Sequence, residues 1–274
     1  IASLVGSEMC IRDRDKVLFL IFLIFPNYSL ACEKEDFLTF VSAEKNKCIA
    51  LQTIGEINQN KKNLIIFLHG DLSSGAKPPG KKGYWKLGNE LLSENTNFFF
   101  LGRPGYTLDS GRKSYGDYQE TRKSKTNYKW EKLELVAKAA QNLKEYYRAN
   151  NLIMIGHSGG AFSLATINSR IPNLIDKTIL ISCPCNFENW RKMKGESVFK
   201  LKTSPHRNIN GISKDSHTII IVGRDDTNTF PVLSKNYHER LITKGLKSEL
   251  YIIEGKHASG SLIDASKIIK RFIN

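Results

Sequence analysis

Leu152-Ile153-Met154-Ile155-Gly156-His157-Ser158-Gly159-Gly160 decides how the rest of the chain is read. An apolar run ends in Gly-x-Ser-x-Gly, and helical spacing resumes after it. The pattern predicts a strand over Leu152–Ile155, a sharp turn carrying Ser158, and a helix starting near Gly160. The turn lifts the Ser158 hydroxyl clear of a sheet in strained backbone angles, which is why the positions two before and two after it carry no side chain. A helix N-terminus beneath it adds positive potential. Gly-rich turns between strand and helix also cradle phosphates, but those carry a Lys after the glycines, and Ala161 stands here.

Outward from this turn, strand and helix patterns alternate. Strands are expected at Ile49–Ile54, Leu64–Leu68, Phe98–Leu101, Leu152–Ile155, Thr178–Ser182, Thr218–Val222 and Glu249–Ile253. Helices are expected at Trp85–Leu92, Tyr128–Arg148, Gly160–Ser169, Pro231–Lys244 and Ser261–Phe272. The apolar runs do not alternate with polar residues, as in strands buried on both faces of a parallel sheet. This predicts an α/β domain with a doubly wound, mostly parallel sheet. The polar, irregular stretch at about 186–216 reads as a short lid insertion.

The strand Leu64–Leu68 runs into His69-Gly70-Asp71. Backbone N–H groups there, at Asp71, supply one arm of an oxyanion hole for the Ser158 turn, and the amide of Gly159 supplies the other. The His69 side chain reads as structural, because it precedes the serine.

His69-Gly70-Asp71, Arg103-Pro104-Gly105-Tyr106, Gly156-His157-Ser158-Gly159-Gly160, Gly223-Arg224-Asp225-Asp226 and Gly255-Lys256-His257 stand in an order that resembles the α/β-hydrolase superfamily, and in particular its secreted esterase-like and serine-peptidase-like members. The resemblance spans most of the chain after residue 31. It implies a catalytic Ser–acid–His set with Ser158 as nucleophile, Asp226 as acid and His257 as general base. The Gly-x-x-Asp spacing of the family favours Asp226, with Asp225 left as the alternative. It implies a loop beside the site at Arg103–Tyr106, and hydrolysis of an ester or amide through an acyl-enzyme without metal or organic cofactor. Small acyl esters are the expected substrates: the region from Cys185 to Asp215 has few large apolar residues (Phe187, Trp190, Met193 and Phe199), enough to close over a short chain but not to build a long tunnel. A serine peptidase, an acyltransferase or an inactive binding protein would share most of these features, because the fold hosts many chemistries.

Lys and Arg number 41 against 27 Asp and Glu, a formal net charge of +14. No dense run of basic and aromatic residues marks a nucleic-acid groove, so the partners expected are small-molecule or peptide substrates and, weakly, anionic surfaces. Ser7-Glu8-Met9-Cys10-Ile11-Arg12-Asp13 looks like a translated sequencing adapter, and residues 1–13 are set apart on that ground. Lys16, the apolar run Val17–Phe25 and the small residues Ser29 and Ala31 describe a signal peptide over 14–31, cut after Ala31, with the hydrolase-like domain over 32–274. The run is shorter than the ~20 residues of a membrane span. Export to the periplasm or exterior is the consequence. Cys32 directly after the cut leaves a lipid-anchored form as the alternative, although Ser29 stands where lipoprotein signals carry Leu. In an oxidising compartment Cys32, Cys48, Cys183 and Cys185 pair. Cys32 with Cys48 ties down the new N-terminus, and Cys183 and Cys185 then pair with each other or one reaches elsewhere. No zinc or other metal site is expected from their spacing.

Overall fold

Apolar runs without alternation need two faces to hide, and the fold provides both. The computed structural model describes residues 32–71, 81–117, 126–257 and 260–273; the adapter-like segment and the stretch expected to be a signal peptide lie outside them. Eight strands form one sheet in the order β1-β2-β4-β3-β5-β6-β7-β8. They are β1 (Phe40–Glu44), β2 (Lys47–Ile54), β3 (Asn63–Leu68), β4 (Thr96–Leu101), β5 (Asn151–His157), β6 (Lys177–Ile181), β7 (His217–Gly223) and β8 (Ser248–Ile253). β1 and β2 are an antiparallel hairpin, and β2 runs antiparallel to β4. From β4 through β8 every neighbouring pair is parallel.

Helices cover the sheet on both sides: α1 (Lys81–Glu90), α2 (Trp130–Tyr146), α3 (Gly159–Arg170), α5 (Pro231–Thr243) and α6 (Gly260–Ile273), with the short α4 (Phe187–Met193) following β6. On β5, Leu152 and Met154 join a core with Leu133, Val136, Leu164 and Tyr237 of α2, α3 and α5. The intervening Ile153 and Ile155 join Leu87, Leu262 and Ile269 of α1 and α6 on the other side. Period-two alternation is therefore present in direction but not in polarity, which is why the sequence reads as an unbroken apolar run.

The expected strands and helices are all found, with ends shifted by a few residues. β1 and α4 are additional. β1 escapes a reading based on apolar runs because Ser42 and Glu44 interrupt it; its turn is made by Asn46 at φ 61°. The 186–216 stretch carries α4 and two short 3-10 turns, and it packs on α3: the Thr166 hydroxyl donates to Thr203 O at 2.8 Å, and Phe187, Leu201, Ile209 and Ile212 are buried. Cys32 pairs with Cys48 (Cα–Cα 5.6 Å) and Cys183 with Cys185 (5.1 Å).

Two backbones come very close where α3 meets the end of β3. A Cβ on Gly160 would stand 2.2 Å from Leu68 O and 2.5 Å from His69 O, both backbone atoms that cannot swing away. Gly160→Ala must push α3 off the sheet, so it is expected to lower stability by about 2 kcal/mol, read as a drop in the urea midpoint. A variant of unchanged midpoint would contradict this packing.

Candidate active site

Ser158 joins β5 to α3 at φ 53° and ψ −118°, a conformation that costs a non-glycine residue strain. Its amide is held by Ile181 O of β6 at 2.9 Å, so the strained residue is braced against the neighbouring strand. The parallel strands bring three loops to this same sheet edge, where open α/β sheets carry their functional groups.

His257, in the loop after β8, places Nε2 3.0 Å from Ser158 Oγ and Nδ1 2.9 Å from Asp226 Oδ2. An ionised carboxylate only accepts, so Nδ1 carries the proton and Nε2 is free to accept from the serine hydroxyl. Asp226 is 1% exposed. Its Oδ1 accepts from the amides of Asn228 (2.9 Å) and Thr229 (2.8 Å), and its Oδ2 accepts from the Thr229 hydroxyl (2.7 Å) as well as from His257. Burial works to raise this carboxyl, but the bonds from His257 and Thr229 outweigh it and hold it well below the ordinary carboxylate range. Asp225 is exposed and contributes its backbone, donating from its amide to Gly255 O at 3.0 Å. Of the two aspartates left open by the sequence, Asp226 is the one that meets His257.

Asp71 lies against the other side of the serine turn. Its carboxylate occupies the space beside Gly159, where a Cβ would come within 2.6 Å of all three carboxyl atoms. Oδ1 accepts from Arg103 Nη1 (2.7 Å) and from the Tyr106 hydroxyl (3.0 Å), and Oδ2 accepts from the Tyr128 hydroxyl. Arg103 is 2% exposed and lies over the rings of Tyr106 and Tyr128. The Arg103–Tyr106 turn therefore neutralises a carboxylate that would otherwise oppose negative charge near Ser158. Among the described residues, the amides of Asp71 and Gly159 donate to no protein acceptor, whereas the Gly70 amide is taken by Tyr84 Oη at 3.2 Å.

Several contributors lie beyond what the sequence alone discloses. Thr229 leaves a trace, since Asp226 followed three residues later by a threonine is the pattern of a side-chain-closed turn. His157 sits inside the motif itself, but nothing in its spacing marks a second role. Tyr84 and Tyr128 leave no local signal, because their partners lie 73 and 57 residues away. His69 is buried and structural, as expected: Nδ1 donates to Gly70 O at 2.8 Å, and Nε2 accepts from the Arg103 amide at 3.3 Å.

No protein-family model matches the chain, and no curated protein matches it. Solved structures do. An esterase of Pyrococcus furiosus superposes with a TM-score of 0.63 at 19% identity, covering 85% of this chain and 89% of that one. Est1E of Butyrivibrio proteoclasticus, with ferulic acid bound, gives 0.63 at 15% identity over 85% and 96%. An acylaminoacyl peptidase of Pyrococcus horikoshii gives 0.60 at 15% identity over 85% of this chain but 40% of its own. The chain thus has the α/β-hydrolase fold.

Burial, and after it the charge of Arg103, holds His69 down to about 4; burial, and after it the nearby His257, does the same to His157. Both values lie below the ~6.5 of an unfolded histidine. Between pH ~4 and ~6.5 the unfolded chain therefore binds more protons than the folded one, and stability falls as pH is lowered through that window. The melting temperature is expected to drop by roughly 10 °C from pH 7 to pH 4.5. A flat profile in thermal unfolding would contradict two buried neutral histidines.

Proposed function

We propose that this chain is a serine hydrolase that cleaves esters of small acyl groups through an acyl-enzyme, with Ser158 as nucleophile, His257 as general base and Asp226 as the orienting acid. The observation that carries the reading is the alignment of Asp226, the His257 ring and Ser158 Oγ by hydrogen bonds of 2.9 and 3.0 Å. In the first half-reaction His257 Nε2 takes the Ser158 proton as Oγ attacks the carbonyl carbon, and the protonated ring then gives that proton to the departing alcohol. The amides of Asp71 and Gly159 hold the oxyanion, each worth about 3 kcal/mol. In the second half-reaction water takes the place of serine at the acyl carbon, with His257 again as base. The esterases among the structural neighbours agree with this class of reaction.

The surroundings of Ser158 support the choice of a small acyl group. Phe162, one turn beyond Ser158, packs with Tyr128, Phe187 and Leu201, and Trp190 of α4 donates its indole N–H to Asn228 O at 2.7 Å, beside the acid loop. Large buried rings this close to the serine turn favour a short acyl chain over a long one. The paired cysteines are consistent with export and an oxidising compartment.

The test is hydrolysis of aryl acetate, butyrate and octanoate esters by the purified protein and three variants. Turnover of the acetate or butyrate is expected to exceed that of the octanoate. Ser158→Ala is expected to lower kcat by at least ~10⁴-fold. Asp226→Asn is expected to cost on the order of 10³–10⁴-fold, because it puts the His257 proton on the wrong nitrogen, and Asp225→Asn less than about threefold. Native turnover by Ser158→Ala would overturn the reading, and a larger loss in Asp225→Asn than in Asp226→Asn would move the acid.

A further inference from the structure

His157, the residue before the serine, makes contacts that the proposed reaction does not use. Its Nε2 lies 3.0 Å from the backbone carbonyl of His257, and its Nδ1 lies 2.9 Å from Tyr84 Oη. A carbonyl only accepts, so Nε2 carries the hydrogen and Nδ1 is bare. The Tyr84 hydroxyl must then donate to Nδ1, while its oxygen accepts the Gly70 amide at 3.2 Å. Burial pushes the Tyr84 hydroxyl up to about 12 and holds His157 down to about 4, so both stay in these protonation forms throughout the working range. One run of hydrogen bonds, with its direction fixed at every link, thus ties the loop after β3 to the nucleophile turn and the nucleophile turn to the loop after β8.

From this geometry we infer that Tyr84 and His157 are positioning residues, which hold the His257 backbone and the Gly70–Asp71 amides in register with Ser158. The inference rests on the proposed roles of Ser158, His257 and the Asp71 amide. It is independent of the bond between His257 and Asp226, which orients the ring; the bond from His157 anchors the main chain from which that ring projects. The loop after the edge strand β8 is tied to the end of β7 by the Asp225 amide, which donates to Gly255 O at 3.0 Å, and the bond from His157 is a second tether, placed at His257 itself. On the other side, occupation of the Gly70 amide by Tyr84 turns that N–H away from the serine and leaves the Asp71 amide as the donor. Gly70 also lies against this turn: a Cβ there would stand 3.2 Å from both His157 Nδ1 and Ser158 Cβ. A misplacement of about 1 Å at such a site costs on the order of 10²-fold in rate without weakening substrate binding.

The two nitrogens of His157 can be tested separately, because a Gln amide nitrogen falls near the Nε2 position and an Asn side chain reaches only as far as Nδ1. His157→Gln, His157→Asn, His157→Leu and Tyr84→Phe are compared with the native protein on aryl acetate, with functional sites counted by a fluorophosphonate so that kcat refers to folded enzyme. His157→Gln is expected to keep kcat within about fivefold, and His157→Asn and His157→Leu to lose about 10–100-fold, with KM moving less than threefold. Tyr84→Phe removes one oxygen from a ring that stays packed. It is expected to lose about tenfold alone and clearly less than that in the His157→Leu background, where the strap is already cut at His157 and only the Gly70 bond is left to lose. Equal activity of the Gln and Asn variants, a loss confined to KM or to the number of functional sites, or additive losses in the double variant would each overturn the proposal. Ser158→Ala run alongside separates the two readings: an active Ser158→Ala defeats the hydrolase assignment, whereas an inactive one beside unaffected strap variants defeats the strap alone.

Discussion

The site depends on how closely the first turn of α3 approaches the end of β3. Gly160 lets the helix backbone rest on Leu68 O and His69 O, and no other residue fits there. That approach forces the chain between β5 and α3 into a turn too tight for ordinary dihedrals, and Ser158 takes the strained position at φ 53°. Because the turn is fixed against β3, the loop leaving β3 is in turn fixed against Ser158: Gly70 meets His157 and Ser158, and the Asp71 carboxylate meets Gly159. Strain at one residue is thus the consequence of a contact between two backbones, held by the hydrophobic layers on either side of the sheet.

Charge is handled differently on the two sides of the serine. Asp226 is kept ionised beside His257, where the proposed reaction calls for a negative group to stabilise an imidazolium. Asp71 stands where a negative group would oppose a developing oxyanion, and there the carboxylate is matched by buried Arg103 and by two tyrosine hydroxyls. The unneutralised carboxylate thus lies on the His257 side of Ser158, and the carboxylate on the other side is matched by a buried cation.

The fold is legible in the sequence because its signal is local. Non-alternating runs such as Leu64–Leu68 and Leu152–Ile155 follow from burial on both faces, and the Ser158 turn is written in five consecutive residues. The choice between Asp225 and Asp226 is harder, since both occupy the end of β7; what separates them is the turn closed by Thr229, which buries one carboxylate and leaves the other in water. Tyr84, Tyr128 and the service of His157 are not legible, because each works through a partner that only the assembled sheet brings near. The composition of 186–216 marks an irregular stretch but gives no sign that Phe187 and Leu201 pack into an aromatic cluster against Phe162.

Everything proposed for this site requires the Ser158 hydroxyl to be a nucleophile activated by the histidine beside it. Treatment with a fluorophosphonate followed by peptide mapping in a mass spectrometer tests it directly. One adduct per chain is expected, on Ser158, formed at a rate that collapses in His257→Ala while Asp225→Asn reacts like the native protein. An adduct on another residue, or unmodified Ser158 in a protein that still hydrolyses aryl esters, would contradict it.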